Sequence, residues 1–140
     1  MAISTEKRKV LVDADAFVAL VYAKDANHDA AAGVIESLLD TQLVASSYAY
    51  GEAVTVISQK AGRTTAVKFI HDTNESPTVV LDASFNFRRR GEEVFRRQTS
   101  KNVSFTDCIN MAIMEDWGIK EIFSFDKIYR KNGFKRLGID

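Results

Sequence analysis

The chain has 140 residues (15.6 kDa), enough for one domain with a real buried core, and its 46% hydrophobic and 27% charged content is that of an ordinary globular protein. Nineteen basic residues balance nineteen acidic ones, so the net charge of zero argues neither for nor against nucleic acid. One proline and seven glycines leave little room for linkers, and no apolar run reaches the length of a membrane span. The opening "MAISTEKRKV" lacks the apolar stretch of a signal peptide, and the single cysteine, Cys108, excludes an internal disulfide. A single cytoplasmic domain over residues 1–140 is the expectation, with Cys108 a small buried hydrophobe.

In chain order, Val10, Leu11 and Val12 read as a buried strand ending on Asp13, with Asp15 two residues on. Helices follow over 14–23 and, as "HDAAAGVIESLLD", over 28–40. "LVASS" (43–47) is a short strand ending on serines that can cap the next helix, 48–60, which stops before Gly62. A helix over 63–73 precedes Pro77, which opens the strand "TVVLD" (78–82). Helices over 84–99 and 105–117, the strand "EIFSFD" (121–126) and a short fifth strand in "FKRLG" (134–138) complete the order. Short apolar strands alternating with helices predict an α/β fold: a three-layer αβα sandwich around a central, mainly parallel sheet of four to five strands.

Sites in such sheets lie beyond the carboxyl ends of the strands. Asp13 and Asp126 stand at two of these ends, with Asp15 and Ser124 beside them. Burying such charges is costly unless they are paired or bound to a cation, so the first two aspartates either cap a helix or form half of a site. The helix "FTDCINMAIMEDW" has almost no polar face, yet carries Asp107 in its first turn and Asn110 one turn later. An acid there is stabilised by the helix dipole, which accounts for Asp107 but not for a buried amide at Asn110. In "YAYGEAVTVISQK" Glu52 borders the apolar stripe, either solvated or aimed at the same rim as Asp13. Together Asp13, Glu52, Asp107 and Asp126 would repel one another without cations, and all-oxygen donors suit Mg²⁺ or Mn²⁺. No histidine or cysteine joins them in a way that suits zinc, and His28 and His71 read as surface residues.

Two stretches are basic. Residues 127–136, "KIYRKNGFKR", contain no acid, and residues 88–101 hold Arg88, Arg89, Arg90, Arg96, Arg97 and Lys101 against Glu92 and Glu93. They suit a polyanion held over a metal site; the blander reading of 88–97 is a solvated helix with Glu92–Arg96 and Glu93–Arg97 pairs.

"VLVDADAFVAL", "SSYAYGEAVTVI" and "SFTDCINMAIMEDWGIKEIFSFDKIYRKNGF" resemble, in order and spacing over nearly the whole chain, the successive motifs of the PIN domain, above all the VapC-type toxins. The resemblance implies a Mg²⁺- or Mn²⁺-dependent endoribonuclease acting on structured RNA such as tRNA or rRNA, usually a homodimer inhibited by a small antitoxin. It places the family's acidic quartet on Asp13, Glu52, Asp107 and Asp126, with Asp13, Asp107 and Asp126 as metal ligands and Glu52 orienting or deprotonating the attacking water. Ser124, Asp15 and Asn110 fall behind them as supporting groups, and Arg88, Arg89, Arg96, Arg97, Lys127, Arg130 and Lys131 are the RNA-backbone candidates. Asp15 departs from the Ser, Thr or Asn more usual there. Lys127, Ile128 and Tyr129 follow Asp126 where many relatives carry a further acid, which weakens the case for a second ion.

Two other readings compete. "VLVDADA" also fits the strand-then-Asp-x-Asp opening of haloacid-dehalogenase-like phosphatases, with Asp13 as nucleophile and Asp15 as acid/base, but that leaves Glu52 and Asp107 without a role. A catalytically inert PIN-like module binding RNA or protein would be expected to have lost some of the four acids.

Overall fold

The computed structural model describes residues 7–140; the part of the signal-peptide expectation that rests on residues 1–6 lies outside the described residues. The elements are β1 (Lys9–Val12), α1 (Ala14–Val21), α2 (His28–Glu36), β2 (Gln42–Ser46), α3 (Ser47–Ala61), α4 (Arg63–Glu75), β3 (Val79–Leu81), α5 (Phe85–Arg97), α6 (Phe105–Trp117), β4 (Glu121–Phe123), α7 (Ile128–Lys131) and β5 (Lys135–Arg136). The five strands form one sheet in the order β3-β2-β1-β4-β5, and every pairing is parallel. Parallel neighbours need crossovers, and helices supply them on both faces.

Alternation along β1 divides the core. Val10 and Val12 point to the side covered by α1 to α4, where Phe17, Ala53, Ile57 and Phe69 are buried. Leu11 points to the other side, with Val44 and Ile122, under Ile109, Met111 and Ile113 of α6. This is the αβα sandwich expected from the sequence. The α5–α6 contact is close: a Cβ at Gly91 would stand 2.6 Å from the Ile109 side chain, so only glycine fits without displacement. Gly118 ends α6 in the left-handed region at φ 67°, a conformation glycine adopts without strain.

Three expectations need correction. The basic stretch after Asp126 contains a one-turn helix, α7, that no periodicity announces, because one turn is too short to show a period. His28 is half-buried, its Nδ1 2.7 Å from the Ala19 carbonyl oxygen, where it ties α2 to α1; His71 is exposed as expected. On α5 the glutamates do not pair forward with Arg96 and Arg97. Glu92 pairs back with Arg88 at 3.0 Å and Arg89 at 3.6 Å, while Arg97 reaches Glu115 and Arg90 reaches Asp116, both on α6. Arg90 and Arg97 are seven residues apart and so share the face that packs on α6 beside Gly91 and Val94.

β1 lies at the centre of the sheet, and the order reverses there: β2 and β3 are laid down on one side, β4 and β5 on the other. Crevices at the carboxyl ends of strands flanking such a switch point are where open α/β sheets hold ligands.

Candidate active site

The end of β1 meets the end of β4 at this switch point, where the Asp13 N–H donates to the Phe123 carbonyl at 3.0 Å. Asp13 caps α1, one of the two roles considered for it from the sequence, and is also buried with only 5% of its surface exposed. Its Oδ1 accepts from the Ala14 N–H (2.8 Å) and from Asn110 Nδ2 (3.1 Å), and its Oδ2 accepts from the Ser124 hydroxyl (2.9 Å). Burial, then the charges of Asp15 and Asp107, push its carboxyl up to about 8 despite those donors.

Asp107, also 5% exposed, enters from the first turn of α6. Its Oδ2 accepts from the Ser104 N–H (2.9 Å) and its own N–H donates to Ser104 Oγ (3.0 Å), a capping box. The helix-capping explanation thus accounts for one oxygen. The other, Oδ1, accepts from the Tyr129 hydroxyl at 3.1 Å. Burial raises its carboxyl above the ordinary range, with Ser104 opposing and the charge of Asp126 adding to the rise.

Asp15 accepts from the Phe125 N–H (2.9 Å) and lies 3.3 Å from the Ser124 hydroxyl through Oδ2, while its Oδ1 is buried with no partner. Burial is the main cause that raises its carboxyl to about 6. Asp126 is exposed on the loop after β4, where its Oδ1 accepts from the Ile128 N–H (3.0 Å) and starts α7, and its N–H donates to Ser124 Oγ (3.1 Å). Its charge is felt by both Asp15 and Asp107. Asp13, Asp15, Asp107 and Asp126 therefore share one electrostatic environment, and Ser124 and Asn110 bind within it. Glu52, one turn into α3, is exposed and shares an open cleft of about 200 Å³ with Asp15, Asp25 and Lys60 rather than a place in the buried group.

Among the described residues, no lysine or arginine forms an ion pair with Asp13, Asp15, Asp107 or Asp126. Nor, among them, do three His, Cys, Asp or Glu side chains stand together as a group able to hold a metal ion by themselves. That combination fits a hard, largely hydrated divalent cation, which is held by one or two carboxylates and keeps several waters. The buried, unpartnered Asp15 Oδ1 leaves an oxygen acceptor beside this group that a hydrated cation could use.

Three contributors escaped the sequence reading. Tyr129 of α7 is fully buried and accepts from Asn110 Nδ2 at 3.0 Å while donating to Asp107. Ser46, the cap of α3, donates to Asn110 Oδ1 at 2.6 Å. Arg136 of β5 donates to the Phe125 carbonyl (3.1 Å), next to Asp126, and its guanidinium is held by Asp140 at 2.8 and 3.1 Å. The fragment "KIYRKNGF" shows a tyrosine in an apolar register, but nothing local shows where its hydroxyl goes.

The basic candidates separate. Lys127, Arg130 and Lys131 line, with Arg136, an open cleft of about 470 Å³, and Lys127 and Lys131 also border a second one beside Asp126. Arg88, Arg89 and Arg97 are engaged in the ion pairs on and beside α5, and Arg96 is exposed.

Residues 10–135 match the sequence pattern of the PIN domain. The 23S rRNA-specific endonuclease VapC20 of Mycobacterium tuberculosis, in both strain CDC 1551 / Oshkosh and strain ATCC 25618 / H37Rv, is 25% identical over 125 residues, which span 89% of this chain and 95% of that protein. The crystal structure of Mycobacterium tuberculosis VapC20, described as a sarcin-ricin loop cleaving toxin, superposes with a TM-score of 0.85 at 23% identity, over 91% of this chain and 98% of that one. A five-stranded parallel sandwich with its acids gathered at the switch point, matched over almost its whole length, identifies the chain as a member of the PIN domain family, with VapC-type toxin ribonucleases as its relatives.

Proposed function

We propose that this protein is an endoribonuclease of the VapC type that uses Mg²⁺ or Mn²⁺ to hydrolyse phosphodiester bonds in structured RNA. The observation that carries the reading is the buried pair Asp13 and Asp107, each fixed by hydrogen-bond donors and neither ion-paired with a basic side chain among the described residues. A bound divalent cation would polarise the scissile phosphate and acidify a water. Asp13 and Asp107 are the residues that would hold it, with Asp126 completing the set directly or through water.

Glu52 takes a proton from the attacking water, whose oxygen forms the new bond to phosphorus as the bond to the 3′ oxygen breaks. That oxygen gains a proton, so the products carry a 5′-phosphate and a 3′-hydroxyl. Ser124 keeps Asp13, Asp15 and the Asp126 backbone in register. Lys127, Arg130 and Lys131 bind the RNA backbone and supply affinity rather than base choice. The relationship to VapC20 supports ribosomal RNA as the substrate class and a protein antitoxin as the inhibitor, and we read the working form as a homodimer acting in the cytoplasm. The described residues contain no helix long and apolar enough to cross a membrane.

The test is cleavage of total RNA by the purified protein with Mn²⁺, with EDTA, and with Asp13→Asn in Mn²⁺. Discrete fragments that require both metal and Asp13 and end in 5′-phosphates support the assignment. Metal-independent cutting, or fragments ending in 2′,3′-cyclic phosphates, would overturn it.

A further inference from the structure

We infer that Tyr129 is a positioning residue of the metal site, acting through its hydroxyl on Asp107 and through Asn110 on Asp13; the inference rests on the metal-dependent reading above. Tyr129 is fully buried, and burying a phenol hydroxyl is unfavourable unless it is bonded. A phenylalanine would fill the same space without that requirement. Here the hydroxyl has two partners, and chemistry fixes their sense. Asn110 Nδ2 can only donate, so the Tyr129 oxygen accepts from it at 3.0 Å and spends its single proton on Asp107 Oδ1 at 3.1 Å.

The second Nδ2 proton of Asn110 goes to Asp13 Oδ1 at 3.1 Å. The amide cannot be turned over, because its oxygen would then face the Asp13 carboxylate and the Ser46 proton would lose its acceptor. Ser46 donates to Asn110 Oδ1 at 2.6 Å while its own oxygen takes the Ala49 N–H at 3.0 Å. The chain Ser46, Asn110, Tyr129 therefore has one consistent direction, ending in one proton to Asp13 and one to Asp107. It draws on β2, α6 and α7 and sets the spacing of two acids delivered by β1 and α6. Such outer partners typically alter metal affinity by about ten- to a hundredfold.

The experiment is a Mn²⁺ titration of the full chain followed by thermal unfolding, for the native protein, Tyr129→Phe, Ser46→Ala and Asp107→Asn. For Tyr129→Phe we expect the Mn²⁺ concentration at half-maximal stabilisation to rise about tenfold. Its metal-free melting temperature should fall too, because an Asn110 proton and a buried Asp107 oxygen lose their partner, so the shifted midpoint is the readout that marks positioning. Ser46→Ala, which leaves Tyr129 in place but frees Asn110, should shift the midpoint the same way by less. A merely structural tyrosine would lower the metal-free melting temperature and leave the midpoint unchanged, which would overturn the inference. Failure of Tyr129→Phe to fold, joined to an unshifted midpoint in Ser46→Ala, would also overturn it. If the native protein shows no Mn²⁺ effect that Asp107→Asn removes, the metal reading itself fails and this inference with it.

Discussion

The floor and the rim of the site are built in opposite ways. On the floor, Asp13 and Asp107 are buried, all four of their carboxylate oxygens are hydrogen-bonded, and burial raises both carboxyls above the ordinary range. At the rim, Glu52 and Asp126 are exposed, and Glu52 lies across an open cleft. Rigid, under-neutralised acids suit holding a cation, whereas a solvated acid suits moving a proton, since it meets water without moving the scaffold. The contrast supports the division proposed above, in which the first pair holds the cation and Glu52 moves the proton.

Removing a floor acid should have the largest effect. Losing several kcal/mol of charge stabilisation corresponds to about three decades in rate, so Asp13→Asn or Asp107→Asn should cut RNA cleavage about a thousandfold and abolish Mn²⁺ stabilisation. Above about pH 8, where the native Asp13 carboxyl is ionised, metal-free Asp13→Asn should melt higher than the native protein, unlike most buried substitutions, because it removes an unneutralised buried charge. Rates and melting curves with and without Mn²⁺ check this.

Glu52→Gln should lower kcat about a hundredfold, as expected for a lost general base, and leave the Mn²⁺ midpoint and metal-free melting temperature where they were. A shifted midpoint would put Glu52 on the floor and break the comparison.

The pH dependence sharpens it. The Asp13 carboxyl titrates near 8 in the folded chain against an ordinary 3.8, so the folded state binds its proton more tightly than the unfolded one. Metal-free stability contributed by this group should therefore rise as pH falls through about 8, and the gain should be complete near 4. Melting at pH 8 and pH 6 should show the rise in the native protein. Asp13→Asn should show a smaller rise, left to Asp15, whose carboxyl is raised to about 6, and to Asp107, and Mn²⁺ should reverse the rise by favouring the ionised forms.

The smallest effects belong to the basic residues. Lys131→Ala and Lys127→Ala should weaken RNA binding and lower the slope of log affinity against log salt by about 0.7 per lost contact to a single strand. Arg88→Ala, whose partner is Glu92 on its own helix, should change neither slope nor affinity. Filter-binding across a salt series separates the two.

Much of this frame is legible in the sequence. Asp13 and Asp126 follow apolar runs too short for helices; Asp13 does stand at a strand end, whereas β4 stops at Phe123 and leaves Asp126 three residues on in the loop, and Asn110 on a mostly apolar helix called for buried partners. What stayed hidden depends on contacts between distant segments. Tyr129 finds Asp107 across 22 positions, and Arg136 reaches back 11 positions to Phe125. Neither pairing leaves a local pattern. The charge run on α5 misled for a related reason: its arginines are neutralised partly by Glu115 and Asp116 of another helix, so counting within the segment overstated the free charge. Glu52 could be aimed at the rim from helix geometry, but its separation from the buried acids depends on how α3 sits against α1.

The most direct measurement is an anomalous difference map from crystals of the protein grown with Mn²⁺. We expect a peak within coordination distance, about 2.0–2.3 Å, of one oxygen each from Asp13 and Asp107, with water completing the shell toward Asp126. A peak confined to the Glu52 and Asp25 cleft, or none at saturating Mn²⁺, would contradict it.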